Sequence, residues 1–140
     1  MSWTAALPYF TEYELACRGT GLIKLDIRFA AELVELRKDW GSPLSPTSVC
    51  RTPGHNQRVG GHPNSLHLTV NPKHPTDGTM ACDLVWPDDS IEFARFCYNK
   101  GWSIGLHDHF IHIDRRADVG LDQAVFLYGQ WTGYFNLRKD

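Results

Sequence analysis

The stretch His107-Asp-His-Phe-Ile-His-Ile-Asp114 decides the fold, because its last five residues alternate between two kinds of side chain. Successive side chains of a β-strand point to opposite faces, so Phe110, His112 and Asp114 are predicted to share one face, opposite two isoleucines. An unpaired imidazole is costly to bury, so His112 indicates either a site or a core histidine satisfied by hydrogen bonds.

The segments around this strand predict a small antiparallel sheet. Segments 47–51, 81–86 and 102–106 are predicted as strands, and the last pairs with 110–114 across a turn. Capping residues and helical spacing predict helices that begin after Thr11, after Asp26 and after Asp88 or Asp89. Segment 52–78 is predicted as loop, and 121–137 as a packing segment with a last helix and strand. This order of elements predicts an α+β domain with helices flanking the sheet.

Length and charge exclude several classes of protein. The 140 residues are expected to form one domain, 1–140. A net charge of −2 argues against a nucleic-acid partner, which usually needs a basic stripe. No apolar run is long enough for a membrane-spanning helix. The first ten residues lack the features of a secretory signal peptide, so synthesis in a cytoplasm is expected.

Metal-type ligands are concentrated in the middle of the chain, where all seven histidines lie between His55 and His112. His112 and Asp83 occupy apolar strands, and a shared metal explains two such residues better than separate partners do. His67 would complete the set from a loop. Imidazole and carboxylate ligands suit Zn²⁺, and three protein ligands with an open fourth position describe a catalytic site. A zinc hydrolase with one Zn²⁺ per chain, bound on the sheet face, is therefore predicted.

The sequence leaves open the roles of three residues near these candidate ligands. Asp114 can accept a hydrogen bond from a ligand imidazole, or it can pair with Arg115 or Arg116. Arg51, at the end of a predicted strand, can clamp a substrate carboxylate, or it is an ordinary surface arginine. His109 has the opposite parity to His112 and reaches the metal face only if its strand bends at the start.

Five short blocks of the sequence occur in the order found in a known family. They are Arg51-Thr-Pro-Gly-His-Asn56, Val59-Gly-Gly61, Ser65-Leu-His67, Ala81-Cys-Asp-Leu84 and Phe110-Ile-His-Ile-Asp114. Together they resemble the LAS peptidases, which comprise zinc D-alanyl-D-alanine carboxypeptidases and phage L-alanyl-D-glutamate endopeptidases. The resemblance covers about residues 7 to 116 and is strongest with short, single-domain phage and prophage members.

The resemblance implies a zinc ligand set of His67, Asp83 and His112. Sixteen positions separate His67 from Asp83, which is longer than the usual family spacing. The extra residues form an insert at about 70–78, expected to be a lid, a specificity loop or the source of a substitute ligand. Asp77 in this insert is the alternative to Asp83, whose strand context favours it.

The resemblance also implies roles for residues that do not bind the metal. His109 matches the position of the general acid/base, and His107 and Asp108 are the nearby alternatives. Arg51 would bind a substrate carboxylate or carbonyl, and Ser65 would support the site at the substrate side. Asp114 matches the family's aspartate that accepts a hydrogen bond from a ligand histidine.

The implied function is that of a zinc-dependent peptidase that cuts an amide bond in the peptide stem of bacterial peptidoglycan. A phage or prophage endolysin is expected, made in the host cytoplasm and acting in the periplasm or cell wall after holin-type release. A monomer without a separate wall-binding domain is expected. One alternative is a D-Ala-D-Ala carboxypeptidase, and another is a non-catalytic, zinc-stabilised binding module of a phage particle. A fourth protein ligand such as His74 or His107 would indicate that last alternative.

Overall fold

A five-stranded sheet forms the centre of the chain. The computed structural model describes residues 3–6 and 9–135. The strands are β1 (Pro46–Ser48), β2 (Ala81–Val85), β3 (Ser103–Leu106), β4 (Phe110–Asp114) and β5 (Val125–Leu127). Their order is β1-β2-β4-β3-β5, and every neighbouring pair is antiparallel except β3 and β5. The predicted α+β fold with an antiparallel sheet is confirmed, with the parallel pair of β3 and β5 as the exception.

Four α-helices accompany the sheet within the described residues. They are α1 (Glu12–Leu15), α2 (Ile27–Trp40), α3 (Pro53–Arg58) and α4 (Ser90–Asn99), with short 3-10 helices at Trp3–Ala6 and Arg116–Val119. The predicted caps form at α1, where Thr11 and Glu14 make a capping box, and at α2, where the Asp26 carboxylate accepts from Arg28 N–H. No helix of the described residues is long and apolar enough to cross a membrane.

Two sequence predictions were wrong in part. Segment 52–78 contains helix α3, whose first residue is Pro53, a position where proline is well tolerated because its missing N–H needs no partner. The tail contains strand β5 but no helix between 121 and 135. The last two residues of the predicted packing segment, 136 and 137, lie outside the described residues.

The two faces of the sheet have different surroundings. Ile111 and Ile113 are fully buried and belong to the core that contains Phe29 of α2 and Phe93 of α4. Aromatic contacts connect this layer, including an edge-on contact between Phe29 and Trp102 with ring centroids 5.8 Å apart. The alternation of β4 leaves its polar residues for the opposite face, as the period of two requires.

Glycine at position 105 lets the tail lie against this polar face. Gly105 pairs with His112 on one side and with Phe126 of β5 on the other. A Cβ at residue 105 would lie 2.8 Å from the Phe126 ring, 2.8 Å from the Tyr128 Cβ and 3.1 Å from the His112 Cβ. Three side chains therefore occupy the space that any other residue would need.

The insert at 70–78 is fixed at both ends. At its start, the Asn71 amide donates to the carbonyl oxygens of Asn64 and Ser65, at 3.1 and 3.0 Å. At its end, Asp77 N–H donates to the Asp26 carboxylate at 2.9 Å, and a Cβ on Gly78 would lie 2.7 Å from the Asp26 backbone nitrogen. These contacts at both ends favour a fixed insert over a mobile lid.

Replacement of Gly105 by alanine is expected to destabilise the protein. The added methyl group would overlap with the side chains of β4 and β5, and overpacking of this kind costs about 1–3 kcal/mol. Urea denaturation measures the free energy of unfolding. The matched control is Gly54→Ala in α3, because a Cβ there meets nothing within 4 Å and alanine favours helix. Equal stability of Gly105→Ala and the parent protein would contradict the packing described for β5.

Candidate metal centre

Register in the sheet brings the first two candidate ligands together. Asp83 of β2 lies directly opposite His112 of β4, so their side chains share a face at the closest cross-strand distance. The His112 Nδ1 atom is 3.0 Å from the Asp83 Oδ1 atom. Both residues are buried.

The third candidate, His67, arrives from the loop that follows α3. Its backbone is held on both sides, because its carbonyl accepts from Arg51 N–H at 2.9 Å and from the Thr79 hydroxyl at 2.8 Å. Its own N–H donates to the Ser65 hydroxyl oxygen at 3.1 Å. The His67 Nε2 atom then lies 3.2 Å from the Asp83 Oδ1 atom. The structure thus brings His67, Asp83 and His112 together.

Hydrogen bonds orient both imidazoles toward one point. The His67 Nδ1 atom lies 2.7 Å from the Val49 carbonyl oxygen, which can only accept, so Nδ1 carries a proton. The His112 Nε2 atom likewise donates to Asp114 Oδ2 at 2.8 Å. One potential ligand atom from each of His67, Asp83 and His112 lies within 4.8 Å of the others. Two nitrogens and a carboxylate oxygen, with the outer imidazole atoms already bonded, form a donor set that fits zinc.

Ionisation in the absence of a metal follows the same arrangement. Burial disfavours a charge on His112, but hydrogen bonds to Asp114 and Asp83 outweigh it and raise its pKa to about 9. Burial lowers the pKa of His67. Burial also opposes ionisation of Asp83, yet the two histidines hold its pKa far below the usual range. A proton on His112 therefore supplies the positive charge between carboxylates that a metal would supply, and metal binding must displace it.

Asp114 has both of the partners that the sequence offered. Its carboxylate accepts from His112 and from the Arg116 guanidinium, whose Nε and Nη2 atoms lie 3.0 and 2.8 Å away. These bonds hold the pKa of the fully buried Asp114 carboxyl far below its usual range against the effect of burial. Arg115 instead pairs with Asp118. Asp114 is thus placed to fix the ring of His112, as expected for an aspartate behind a ligand imidazole.

Arg51 lies against the outer oxygen of Asp83. Its Nη2 atom is 3.4 Å from Asp83 Oδ2, while its Nε atom donates to the Ser48 hydroxyl at 3.3 Å. Its Nη1 atom contacts the Asn56 side-chain oxygen at 3.4 Å. Arg51 is therefore a positioned residue of the site rather than an ordinary surface arginine.

A cavity of about 660 Å³ opens above these residues. Its lining combines glycines of the 59–61 segment, residues of the insert and aromatic residues of the tail around His112, the candidate ligand that lines it: Arg51, Gly60, Gly61, Ser65, Lys73, His74, Phe110, His112, Asp114, Arg116, Phe126 and Tyr128. The predicted residues Arg51, Ser65, His112 and Asp114 thus meet at one cavity.

The candidate acid/base residue is placed differently. His109 is exposed, its ring faces His107 at 5.5 Å, and it is absent from the described residues that line the cavity. The neighbouring His107 ring stacks on Phe110 at 4.2 Å and packs against Gly129, and both of those residues line the cavity. The role of His109 stays a prediction, and His107 is its nearest structural alternative.

The tail contributes a residue that sequence reasoning did not assign to the site. Tyr128 stacks on His112 with ring centroids 4.3 Å apart and lines the cavity. The aromatic residues of the tail had been assigned to packing alone. The spacing of two between Phe126 and Tyr128 is the signal that could have placed both on one face of a strand.

Comparison with known proteins gives one match. A family model described as Peptidase M15 matches residues 8–114. Neither the curated proteins nor the solved structures give a match. The matched segment contains His67, Asp83 and His112 and ends at Asp114, before the tail.

Replacement of Asp83 by asparagine is expected to remove metal binding. The change keeps the shape of the side chain but removes the charge that both histidines face. Zinc affinity should fall by more than the roughly 10–100-fold that loss of a supporting partner costs. Metal content after dialysis and competition with a chelator measure the effect.

The control is Asp77→Asn in the insert, the other acid that the sequence offered. Asp77 is exposed, and only its backbone N–H makes a described hydrogen bond, to Asp26. Its replacement should leave zinc affinity unchanged. Loss of zinc from Asp77→Asn with retention by Asp83→Asn would reverse the assignment.

Proposed function

Since the match covers residues 8–114, the chain belongs to the Peptidase M15 family, and we propose that it cuts an amide bond in the peptide stem of bacterial peptidoglycan. Peptidases of this family are zinc-dependent, which makes the chain a metallopeptidase by family. The observation that carries the proposal is the convergence of His67, Asp83 and His112 beside a cavity large enough for a peptide segment. These three residues would hold the ion.

The number of ligands favours a catalytic over a structural metal. Among the described residues, the cluster has three members of the kind that bind metals. A structural zinc site is normally closed by four protein ligands, whereas a catalytic one keeps a position open. His74 lines the cavity but is not a member of the cluster, and neither is His107. This observation supports an enzyme rather than a zinc-stabilised binding module.

Besides the chemistry of the metal, amide hydrolysis requires three functions of the protein at the cavity. Zinc, when bound, lowers the pKa of a coordinated water and polarises a carbonyl group. The protein must then bind the substrate, accept the proton of the attacking water and deliver it to the leaving nitrogen. In the net reaction, the amide C–N bond breaks, a hydroxyl adds to the carbonyl carbon, and a proton passes to the amine.

Arg51 is proposed to bind the substrate. Its guanidinium is held by Ser48, Asn56 and Asp83 and faces the cavity. A fork of N–H donors fixed in this way suits a substrate carboxylate or a carbonyl oxygen that gains charge. Ser65 would support the site indirectly, because its hydroxyl oxygen accepts from the N–H of His67.

The charge of the cavity supports an anionic peptide as substrate. Arg51, Lys73 and Arg116 line it, whereas Asp114 is the one carboxylate among the described lining residues. Asp114 is already bound by His112 and Arg116. Among the described residues, Lys73 has no carboxylate partner, so its charge remains available to a ligand at the rim. Stem peptides that contain D-glutamate carry the complementary charge.

The resemblance to phage endopeptidases supports a proposal for the finer identity of the enzyme. We propose an endolysin that acts as a monomer in the periplasm or cell wall after holin-type release from the host cytoplasm. The alternative activity is that of a D-Ala-D-Ala carboxypeptidase, which would require a free substrate C-terminus. Mass analysis of released fragments distinguishes the two, because only the carboxypeptidase releases single D-alanine residues.

Purified peptidoglycan should be cut by the zinc-loaded protein. New amino groups and stem-peptide fragments are expected in mass spectra, and a chelator should abolish them until zinc is restored. His112→Ala should lose both zinc and activity because it removes a ligand and the partner of Asp114. Digestion without new fragments, or full activity of His112→Ala, would refute the proposal.

Replacement of His109 by alanine tests the proposed proton acceptor. Removal of a general base lowers kcat by about 10²–10⁴-fold, and zinc content should not change because His109 lies outside the metal cluster. His107→Ala is the matched comparison on the same turn. A loss of kcat confined to His107→Ala would transfer the role to His107, whose ring already contacts the cavity lining.

A further inference from the structure

We propose that Tyr128 is a further catalytic residue, whose hydroxyl donates a hydrogen bond to the scissile carbonyl oxygen as that oxygen gains negative charge. The inference rests on the proposed peptidase function. It concerns a residue of the tail, beyond the segment 8–114 that matches the family. Its support is the position of the ring, the surroundings of the hydroxyl and the chemistry of amide hydrolysis.

The backbone of the tail fixes the position of Tyr128. Strand β5 pairs in parallel with β3, and Tyr128 N–H then donates to the Leu106 carbonyl oxygen at 2.9 Å. Because Gly105 has no side chain, the Tyr128 Cβ can lie only 2.8 Å from the position that a Cβ of residue 105 would take. Tyr128 therefore leaves the strand directly over the centre of the polar face.

The ring of Tyr128 covers one side of the candidate metal site. It stacks on His112 at 4.3 Å with an interplanar angle of 20°. Phe110 and Phe126 contact it edge-on, with ring centroids 5.9 and 6.1 Å away. A ring held on three sides by aromatic groups has little freedom to turn, so the direction of its hydroxyl is set in advance.

The surroundings of the hydroxyl leave its proton available. The hydroxyl belongs to a half-buried side chain that lines the same cavity as Arg51. Among the described residues, no acceptor takes the Tyr128 proton. A phenol hydroxyl can donate one hydrogen bond, so that of Tyr128 is available as a donor in the cavity beside His112.

Amide hydrolysis creates a demand for such a donor. When water adds to the carbonyl carbon, the C=O π electrons move to oxygen, which becomes negatively charged. A donor fixed in advance stabilises this oxygen without reorganisation in the transition state. Arg51 and Tyr128 both line the cavity, so both can donate a hydrogen bond to the same substrate oxygen. Tyr128 transfers no proton in this role and returns unchanged when the C–N bond breaks.

Tyr128→Phe tests the inference because phenylalanine keeps the stacking on His112 and loses only the hydroxyl. On purified peptidoglycan, kcat should fall by about 10²-fold, as for loss of one oxyanion donor, while KM stays within about twofold. A phosphinate analogue of the cleaved dipeptide unit, which mimics the tetrahedral carbon, should bind about 10²-fold more weakly by calorimetry. Zinc content should equal that of the parent protein. The matched control is Tyr134→Phe, at an exposed tyrosine of the same tail, which should change none of these quantities.

Three results would overturn the inference while leaving the peptidase function intact. They are a kcat of Tyr128→Phe within about twofold of the parent value, a loss of zinc that accounts for the loss of activity, and unchanged affinity for the phosphinate. The second would show that the hydroxyl only supports the fold around His112. A parent protein that releases no fragment refutes the proposed function instead, and the catalytic role of Tyr128 with it.

Discussion

A single carboxylate, that of Asp83, holds the polar face of this sheet together. Its Oδ1 atom lies 3.2 Å from His67 Nε2 and 3.0 Å from His112 Nδ1, and its Oδ2 atom contacts Arg51. A buried charge with so many polar neighbours is stable only if all of them are in place, because each lost partner leaves an uncompensated charge. The loop of His67, the end of β1 and the central strand pair are therefore positioned relative to one another by Asp83. The geometry of the candidate metal site thus depends on the contacts of this one carboxylate.

Local sequence patterns predicted most of the elements that carry the ligands. The alternation at 110–114 and the apolar run at 81–85 gave the strands and their faces, since period two leaves few alternatives for buried segments. Helix α2 was predicted between Asp26 and Gly41 because both caps have specific residues. The same patterns could not show that Asp83 faces His112 across the sheet, because register depends on residues far apart in sequence. Helix α3 was missed because glycine, proline and asparagine dominate its short sequence.

The tail shows where local reasoning ends. Its aromatic residues are compatible with core, surface or site, and only the parallel pairing of β5 with β3 decides among them. That pairing depends on the absence of a side chain at Gly105, more than twenty residues earlier. Gly105 carries no recognisable signal, and the spacing of Phe126 and Tyr128 indicates a strand face but not the strand that it pairs with. A residue with a proposed role in chemistry thus reaches the site through packing against a glycine of another strand, which no motif records.

The segments just before and just after the insert between His67 and Asp83 are hydrogen-bonded to each other. Met80 N–H donates to the Leu66 carbonyl oxygen at 2.8 Å, and the Thr79 hydroxyl donates to that of His67 at the same distance. These two hydrogen bonds hold the candidate ligands on either side of the insert, His67 and Asp83, in position. Because the entropy of closing a loop grows only slowly with its length, a change in the number of residues between these two hydrogen bonds costs little loop-closure entropy. The part of the cavity wall that the insert forms can therefore change in length while the candidate ligands beneath it keep their positions.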